Sequence, residues 1–407
     1  MKRSWIKTSA SFFGFLCILF IPFPFTLIKA QLYLTDFLFG KPIAYIAAAV
    51  FGKSLDNTRV YSDSFSMYLL VLLLFVLSML VSLLLLQVKK WALYRETVHT
   101  FFTRVFIAYL ALQLLKYGID KIFKNQFYLP EPNTLYTPLG QIDKDLLYWS
   151  SMGTSHFYSI FLGTLEAVAA VLILIRRTRL VGLLVSFAVL LNVVAVNFGF
   201  DISVKLFSLF LLYITLYLLQ PYTGQLYQLL IRNKATPGKP APEKFALAQP
   251  SFVAHFLKWF AIGIICIEVF YPFIKSGKLN GDNTARPHLH GVYEVRQVIV
   301  GTDTLAAIYS PVKRFFIHKE SYMIFQDPAD QLQDYKLALD KAESVFILTD
   351  YQLKQTVLSF QYQPADSTLT LQYFHNGTES RLVGKALDWK KLPLLQKSFH
   401  WTVEGNK

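Results

Sequence analysis

From Ala10 to Phe273 the apolar residues gather into seven stretches, which we read as helices over 10–30, 66–88, 99–119, 156–175, 180–197, 203–220 and 253–274. A helix needs about 20 residues to cross a bilayer's hydrocarbon core, so each stretch predicts a membrane span. After Phe273 the pattern changes. Residues 275–290 are polar and contain Gly, Pro and Asn, and from Gly291 onward the period becomes two. Leu358, Phe360 and Tyr362 alternate with Ser359 and Gln361, and Leu369, Leu371 and Tyr373 alternate with Thr370 and Gln372. Asn376-Gly377 between alternating runs predicts a hairpin, and Pro328-Ala329-Asp330, Thr349-Asp350 and Pro364-Ala365-Asp366 predict further turns. Turns at this spacing give about eight strands. The expected fold class is a membrane all-α bundle of about seven helices followed by a C-terminal soluble all-β small barrel or sandwich.

Charge gives this layout a direction. Lys2, Arg3 and Lys7, then Lys89, Lys90 and Arg95, then Arg176, Arg177 and Arg179, then Arg232, Lys234, Lys239 and Lys244 flank the spans on alternate sides. Connections rich in Lys and Arg stay in the cytoplasm, which puts the N-terminus inside and, after seven crossings, the C-terminal domain on the periplasmic side. The two long outer connections, 31–65 and 120–155, carry charges of both signs. A stretch such as Ala10–Ala30 behind three basic residues also resembles a signal peptide, but its long core containing Phe and Pro favours a retained helix.

Composition narrows the function. The 407 residues are 54% hydrophobic and only 16% charged, and the formal net charge of +14 is accounted for by the inner connections. No basic stripe interleaved with aromatics is present, so nucleic acid is not an expected partner, whereas membrane lipid is. The two cysteines, Cys17 and Cys266, lie inside spans and form no CxxC pair, which argues against thiol exchange and thiolate metal sites. His99 and His255 at the inner ends of spans are more readily interfacial than haem ligands. His288-x-His290 lacks the further ligands a metal site needs. Gly-rich phosphate loops, GxSxG and HExxH are absent from the sequence.

The candidate chemistry is polar residues where lipid should be. Arg104, Lys116, Glu166, Lys258 and Glu268 fall inside spans, with Gln113, Asn192 and Asn197 beside them. Each such charge costs about 2.5–3.5 kcal/mol on insertion scales, so it faces the bundle interior or water. Glu166 near mid-depth is the sharpest case. Tyr117, Asp120, Lys121 and Gln126 leave the third span, and Asn197, Asp201 and Lys205 bracket a short outer turn. These groups predict a shallow polar vestibule above Glu166. Plainer readings stand beside this one. Arg104, Lys116 and Lys258 can snorkel, Asp201 can cap the sixth helix, and Lys205 can pair with it at i,i+4.

The block Arg104–Leu219 resembles the DoxX-like family of bacterial membrane proteins. The resemblance is carried by Tyr117-Gly118-x-x-Lys121, Gln126-Phe127, Gly153, Phe161-x-Gly163-x-x-Glu166, Arg176-Arg177-Thr178, Asn192-Val193, Asn197-Phe198 and Asp201-x-x-Val204-Lys205-Leu206-Phe207-Ser208. It implies a four-helix core in the cytoplasmic membrane, in a long subgroup with extra helices and a C-terminal β domain. It also implies a link to quinone or redox chemistry, since some members are subunits of a thiosulfate:quinone oxidoreductase. The absence of CxxC pairs sets this chain apart from thiol or thiosulfate chemistry. The organisation expected is helices 1–2 with an outer loop in 1–98, the DoxX-like core in 99–220, a cytoplasmic linker in 221–252, helix 7 in 253–274, a tether in 275–290 and the β-rich domain in 291–407. Gly291-Val292-Tyr293 in the first strand and Phe399-His400-Trp401 in the last resemble lipocalin-like barrels in shape.

Two functional readings follow. In one, the bundle anchors a periplasmic β domain that binds a lipid, an envelope component or a partner protein. In the other, Glu166, Asp201, Lys205, Lys121, Tyr117, Asn197 and Gln126 form a ligand and proton site for a quinone in a redox complex.

Overall fold

The structure, a computed structural model, describes residues 2–23, 30–55, 60–234, 252–340, 342–375, 378–396 and 401–402. The chain forms two compact units: Met1–Gln126 with Phe157–Leu279, and Phe127–His156 with Asn280–Lys407. The chain passes between them at three points.

The first unit is a helical bundle. Its helices are α1 (Lys2–Phe20), α2 (Ala30–Phe51), α3 (Phe65–Gln87), α4 (Trp91–Ile122), α7 (His156–Leu174), α8 (Arg179–Gly199), α9 (Lys205–Leu219), α10 (Thr223–Leu230) and α11 (Phe252–Ser276). Seven stretches among the described residues are long and apolar enough to cross a membrane: Ala30–Phe51, Phe65–Gln87, Trp91–Ile122, His156–Leu174, Arg179–Gly199, Lys205–Leu230 and Lys258–Asn283. The chain is a multi-pass membrane protein.

The number matches the sequence reading, but the membership differs. The first expected span, 10–30, ends as a helix at Phe20, and residues 24–29 lie outside the described residues. Helix α2 fills much of the expected outer loop 31–65. It is long enough to cross, yet its contacts hold both of its ends at one end of the bundle. Gln31 Nε2 donates to the carbonyls of Ile18, Leu19 and Ile21, and Thr35 donates to that of Phe20. At the far end of α2, Phe51 lies 5.4 Å from Phe65, the first residue of α3. Because α1 stops where α3 starts, α2 runs across the mouth of the bundle and α1 supplies the missing span. Its polar and small residues Gln31, Thr35, Gly40 and Ala47 face inward with Ile43, while Tyr33, Phe37 and Tyr45 are exposed. That inverted pattern suits a helix at the membrane interface.

The basic connections before α1, between α3 and α4, between α7 and α8 and after α9 then share one end. There Arg179 Nε donates to the Ile173 carbonyl and helps terminate α7. Of the expected linker 221–252, residues 223–230 form α10 and 235–251 lie outside the described residues.

The second unit is a closed antiparallel β-barrel. Its strands are β1 (Gly291–Val300), β2 (Asp303–Ala306), β3 (Arg314–His318), β4 (Tyr322–Gln326), β5 (Leu332–Asp340), β6 (Val345–Thr349), β7 (Gln355–Gln363), β8 (Thr368–His375) and β9 (Thr378–Leu387). β1 and β3 to β9 follow one another around the ring, β9 pairs with β1 to close it, and β2 adds to the far half of β1. The Asn376-Gly377 connection lies outside the described residues, but the strands it joins pair as expected, His375 opposite Thr378.

Alternate residues fill the barrel interior. Phe315, Ile317, Met323, Phe346, Leu369 and Leu371 are fully buried there. Gly384 makes room for them: a Cβ at this position would come within 2.5 Å of the Phe315 ring. A small eight-stranded barrel is wide enough for side chains or one small ligand, and here side chains occupy it.

Outside the barrel, Val292, Phe316, Ile324 and Trp389 form a second core with Leu135, Tyr136, Leu387, Leu392 and Leu395. Leu135 and Tyr136 belong to the segment 127–156, which holds the short helices α5 (Pro132–Leu135) and α6 (Lys144–Thr154). The expected outer connection 120–155 is therefore largely part of the β domain. The expected last strand around Phe399-His400-Trp401 falls mostly outside the described residues. Among the described residues the last strand ends at Leu387, residues 397–400 are not described, and Trp401 is exposed outside any strand.

Candidate functional site

The polar centre of the bundle is built at a close helix crossing. Gly118 on α4 meets Gly163 on α7, and a Cβ on Gly118 would lie 2.7 Å from the Gly163 carbonyl oxygen. Small residues allow this approach between membrane helices. On α4, Tyr117, Gly118 and Lys121 lie within one turn of each other. On α7, Ser159, Gly163 and Glu166 recur at helical spacing, so the two polar faces meet. Lys121 Nζ donates to Glu166 Oε2 at 2.7 Å and to Oε1 at 2.9 Å. Their side chains are only 8% and 5% exposed, so each ion neutralises the other inside the bundle. Ser159 Oγ donates to the Lys121 carbonyl at 2.8 Å, and Lys121 Nζ stands 5.6 Å from the Tyr117 ring centroid.

The other predicted residues fall into different surroundings. Lys205 Nζ donates to Asp201 at 2.7 Å, the expected i,i+4 pair, with the Asp201 side chain 83% exposed. Asp201 sits in the left-handed region at φ +54°, three residues before the N-cap position Val204. The first N–H groups of the sixth span are capped by Asp63, whose carboxylate accepts from those of Lys205 and Leu206 at 2.8 and 3.0 Å. Sequence spacing hides this cap, because Asp63 comes from the segment before α3. Asn197 is buried with Nδ2 unpartnered among the described residues, and Gln126 Oε1 is unpartnered too. His99 bonds Ser11 Oγ through Nδ1 at 2.8 Å.

The second unit holds a cluster that sequence reasoning missed. Glu131, 2% exposed, accepts from Arg286 Nη1 at 2.8 Å and lies 2.6 Å from His290 Nε2. The Lys319 N–H points at the same carboxylate at 3.4 Å, and Asp282 accepts from the Leu129 N–H at 2.7 Å. Residues 280–290 are therefore bound to the 127–131 segment, where a loose tether was expected. Burial alone would raise the Glu131 carboxyl, but the His290 hydrogen bond and the charges of His290 and Arg286 outweigh it and hold it below the usual range. Burial lowers His318 and Lys319 beside it. The signal in sequence was thin: an isolated Glu-Pro and one His of the His288-x-His290 pair. Among the described residues no three His, Cys, Asp or Glu side chains converge as metal ligands.

Fold and site together define a multi-pass membrane protein carrying a β-barrel domain, with a buried ion pair at a glycine crossing. No family model and no solved structure matches the chain. Over 133 residues, 33% of its length, it is 32% identical to the uncharacterized protein YwoB of Bacillus subtilis (strain 168), a match covering 84% of that protein. The chain belongs to the family of YwoB.

Proposed function

We propose that this protein is a membrane module of the bacterial cytoplasmic membrane whose helices anchor a β domain on the periplasmic side, where the domain engages an envelope component or a partner protein through its outer surface. The observation that carries this reading is the filled barrel interior. Side chains pack that interior, which favours recognition by the exterior. There Tyr351, Leu353 and Phe374 stand 77%, 82% and 78% exposed at the rim opposite Gly291. Large apolar side chains gathered in an exposed patch mark interaction sites. The orientation rests on the shared end of the Lys/Arg connections, and the resemblance of Arg104–Leu219 to DoxX-like proteins is consistent with an anchoring core. A photoreactive amino acid at Tyr351 or Leu353 of the full chain in cells should give discrete adducts, and one at interior Phe346 none. Equal labelling at both, or none at the rim, counts against the reading.

A quinone-linked redox subunit is the second reading, favoured by the unpartnered amide atoms of Asn197 and Gln126. Lys121 and Glu166 are satisfied by one another, which leaves that reading weaker. Solvent extraction of the purified protein checks it: quinone that co-purifies and is lost in Asn197→Leu supports it.

A further inference from the structure

Helix α4 carries more buried polarity than its ion pair requires. His99, Thr103, Tyr109, Gln113, Tyr117 and Lys121 fall on one side of the helix at 100° per residue. Over that stretch the helix rises about 33 Å, close to the thickness of the hydrocarbon core.

At the basic end of the bundle, Ser11 Oγ lies 2.8 Å from both His99 Nδ1 and Tyr217 Oη, with Thr103 beside Tyr217. At the other end stand Tyr117 and the Lys121–Glu166 pair. Midway, the fully buried Gln113 has neither amide atom partnered among the described residues. The Tyr109 hydroxyl beside it reaches only toward that amide, and neither group has a further partner among the described residues. Cys17 of α1 and Phe210 of α9 pack near Tyr109.

Polar groups held without partners in hydrocarbon cost several kcal/mol each, so packing alone gives no reason for a carboxamide and a phenol here. Both can accept from and donate to water and so hold a file of waters along which protons move. On the same face, fully buried Phe106 and Leu110 separate the two polar halves. The Phe106 ring seats against Gly14, where a Cβ would lie 2.7 Å from its Cζ, and meets Tyr217 edge-on at 5.1 Å. Hydrophobic constrictions of this kind gate pores by dewetting.

We propose that α4 lines a proton path: a hydrated half from Lys121–Glu166 through Tyr117 to Gln113 and Tyr109, a dry plug at Phe106 and Leu110, and an exit through Thr103, Tyr217, Ser11 and His99. The proton moves by exchange of O–H and N–H bonds, with no other bond made or broken. This assignment is independent of what the β domain binds.

The test uses the full-length protein in liposomes, with a potassium gradient and valinomycin driving protons toward a trapped pH dye. Phe106→Ala, or Leu110→Ala if the first does not fold, should raise proton flux about tenfold over wild type by opening the constriction. Adding Gln113→Leu should return it to the wild-type rate. Plug variants that conduct no better than wild type overturn the proposal. So does flux that Gln113→Leu leaves unchanged, or flux matched by Leu74→Ala, a fully buried truncation on α3. A further readout needs no plug variant. In a Cys17→Ser, Cys266→Ser chain, Gln113→Cys should react with a membrane-impermeant thiol reagent added on the Lys121 side. If Tyr117→Cys reacts and Gln113→Cys does not, the hydrated half does not exist.

Discussion

Lys121 and Glu166 are each legible in the sequence as costly charges, but their pairing is not, because 45 residues separate them and only the glycine crossing brings them together. Removing one member of a buried pair strands the other and typically costs about 3–5 kcal/mol, whereas replacing both with apolar residues of similar size is often neutral. Glu166→Ala should therefore lower the melting temperature of the detergent-solubilised protein sharply, and Lys121→Met with Glu166→Met should recover most of the loss. A double variant as unstable as the single one would mean that the pair does more than neutralise itself. Asp63 teaches the complementary lesson. It is an ordinary loop acid by composition, and it caps a helix that begins 142 residues later. Asp63→Ala should cost about 0.5–2 kcal/mol, the usual loss of a cap, and the same melting experiment reads it.

Among elements, the strands were the easiest to read, because a half-buried strand alternates, as β7 and β8 do on either side of the turn at Pro364-Ala365-Asp366. Helix α2 was not legible, since its buried stripe is the polar one and Gly40-Lys41-Pro42 imitates a loop. Within the barrel, Gly384→Val would push a branched side chain into the Phe315 ring and should destabilise the domain by about 1–3 kcal/mol, as overpacking does, measurable as faster hydrogen exchange in β1 and β9. The Glu131 cluster makes the same domain sensitive to acid. A carboxyl held below its usual range contributes stability above that range and loses it as pH falls through the lowered value. His318, lowered by burial from its ordinary value of 6.5, acts in the same direction, because the unfolded chain takes up its proton first as pH drops below 6.5. Melting temperature should fall steadily between about pH 6.5 and pH 4, and Glu131→Gln should flatten the lower part of that slope. A flat profile in the parent protein would remove these groups from the account.

For the whole molecule, hydropathy conveyed seven stretches long and apolar enough to cross a membrane, but not the division into units. The segment 127–156 sits between two spans in sequence and still belongs to the β domain, because its apolar residues Leu135 and Tyr136 cover the outside of strands β1, β3 and β4. Residues 280–407 expressed alone should therefore fail to melt cooperatively, while the same fragment supplied with 127–156 through a linker should do so; cooperative melting of the shorter piece would show that the outer layer is dispensable. With α2 lying across the mouth of the bundle, a cysteine at Phe37 should be labelled by an impermeant reagent from the same side as a reporter placed after Trp401. The split also constrains biogenesis. Part of the outer layer leaves the ribosome more than 200 residues ahead of the strand that closes the ring, a delay of about 10 to 50 seconds at ordinary synthesis rates. Throughout that interval Leu135 and Tyr136 stand without the completed barrel against which they pack.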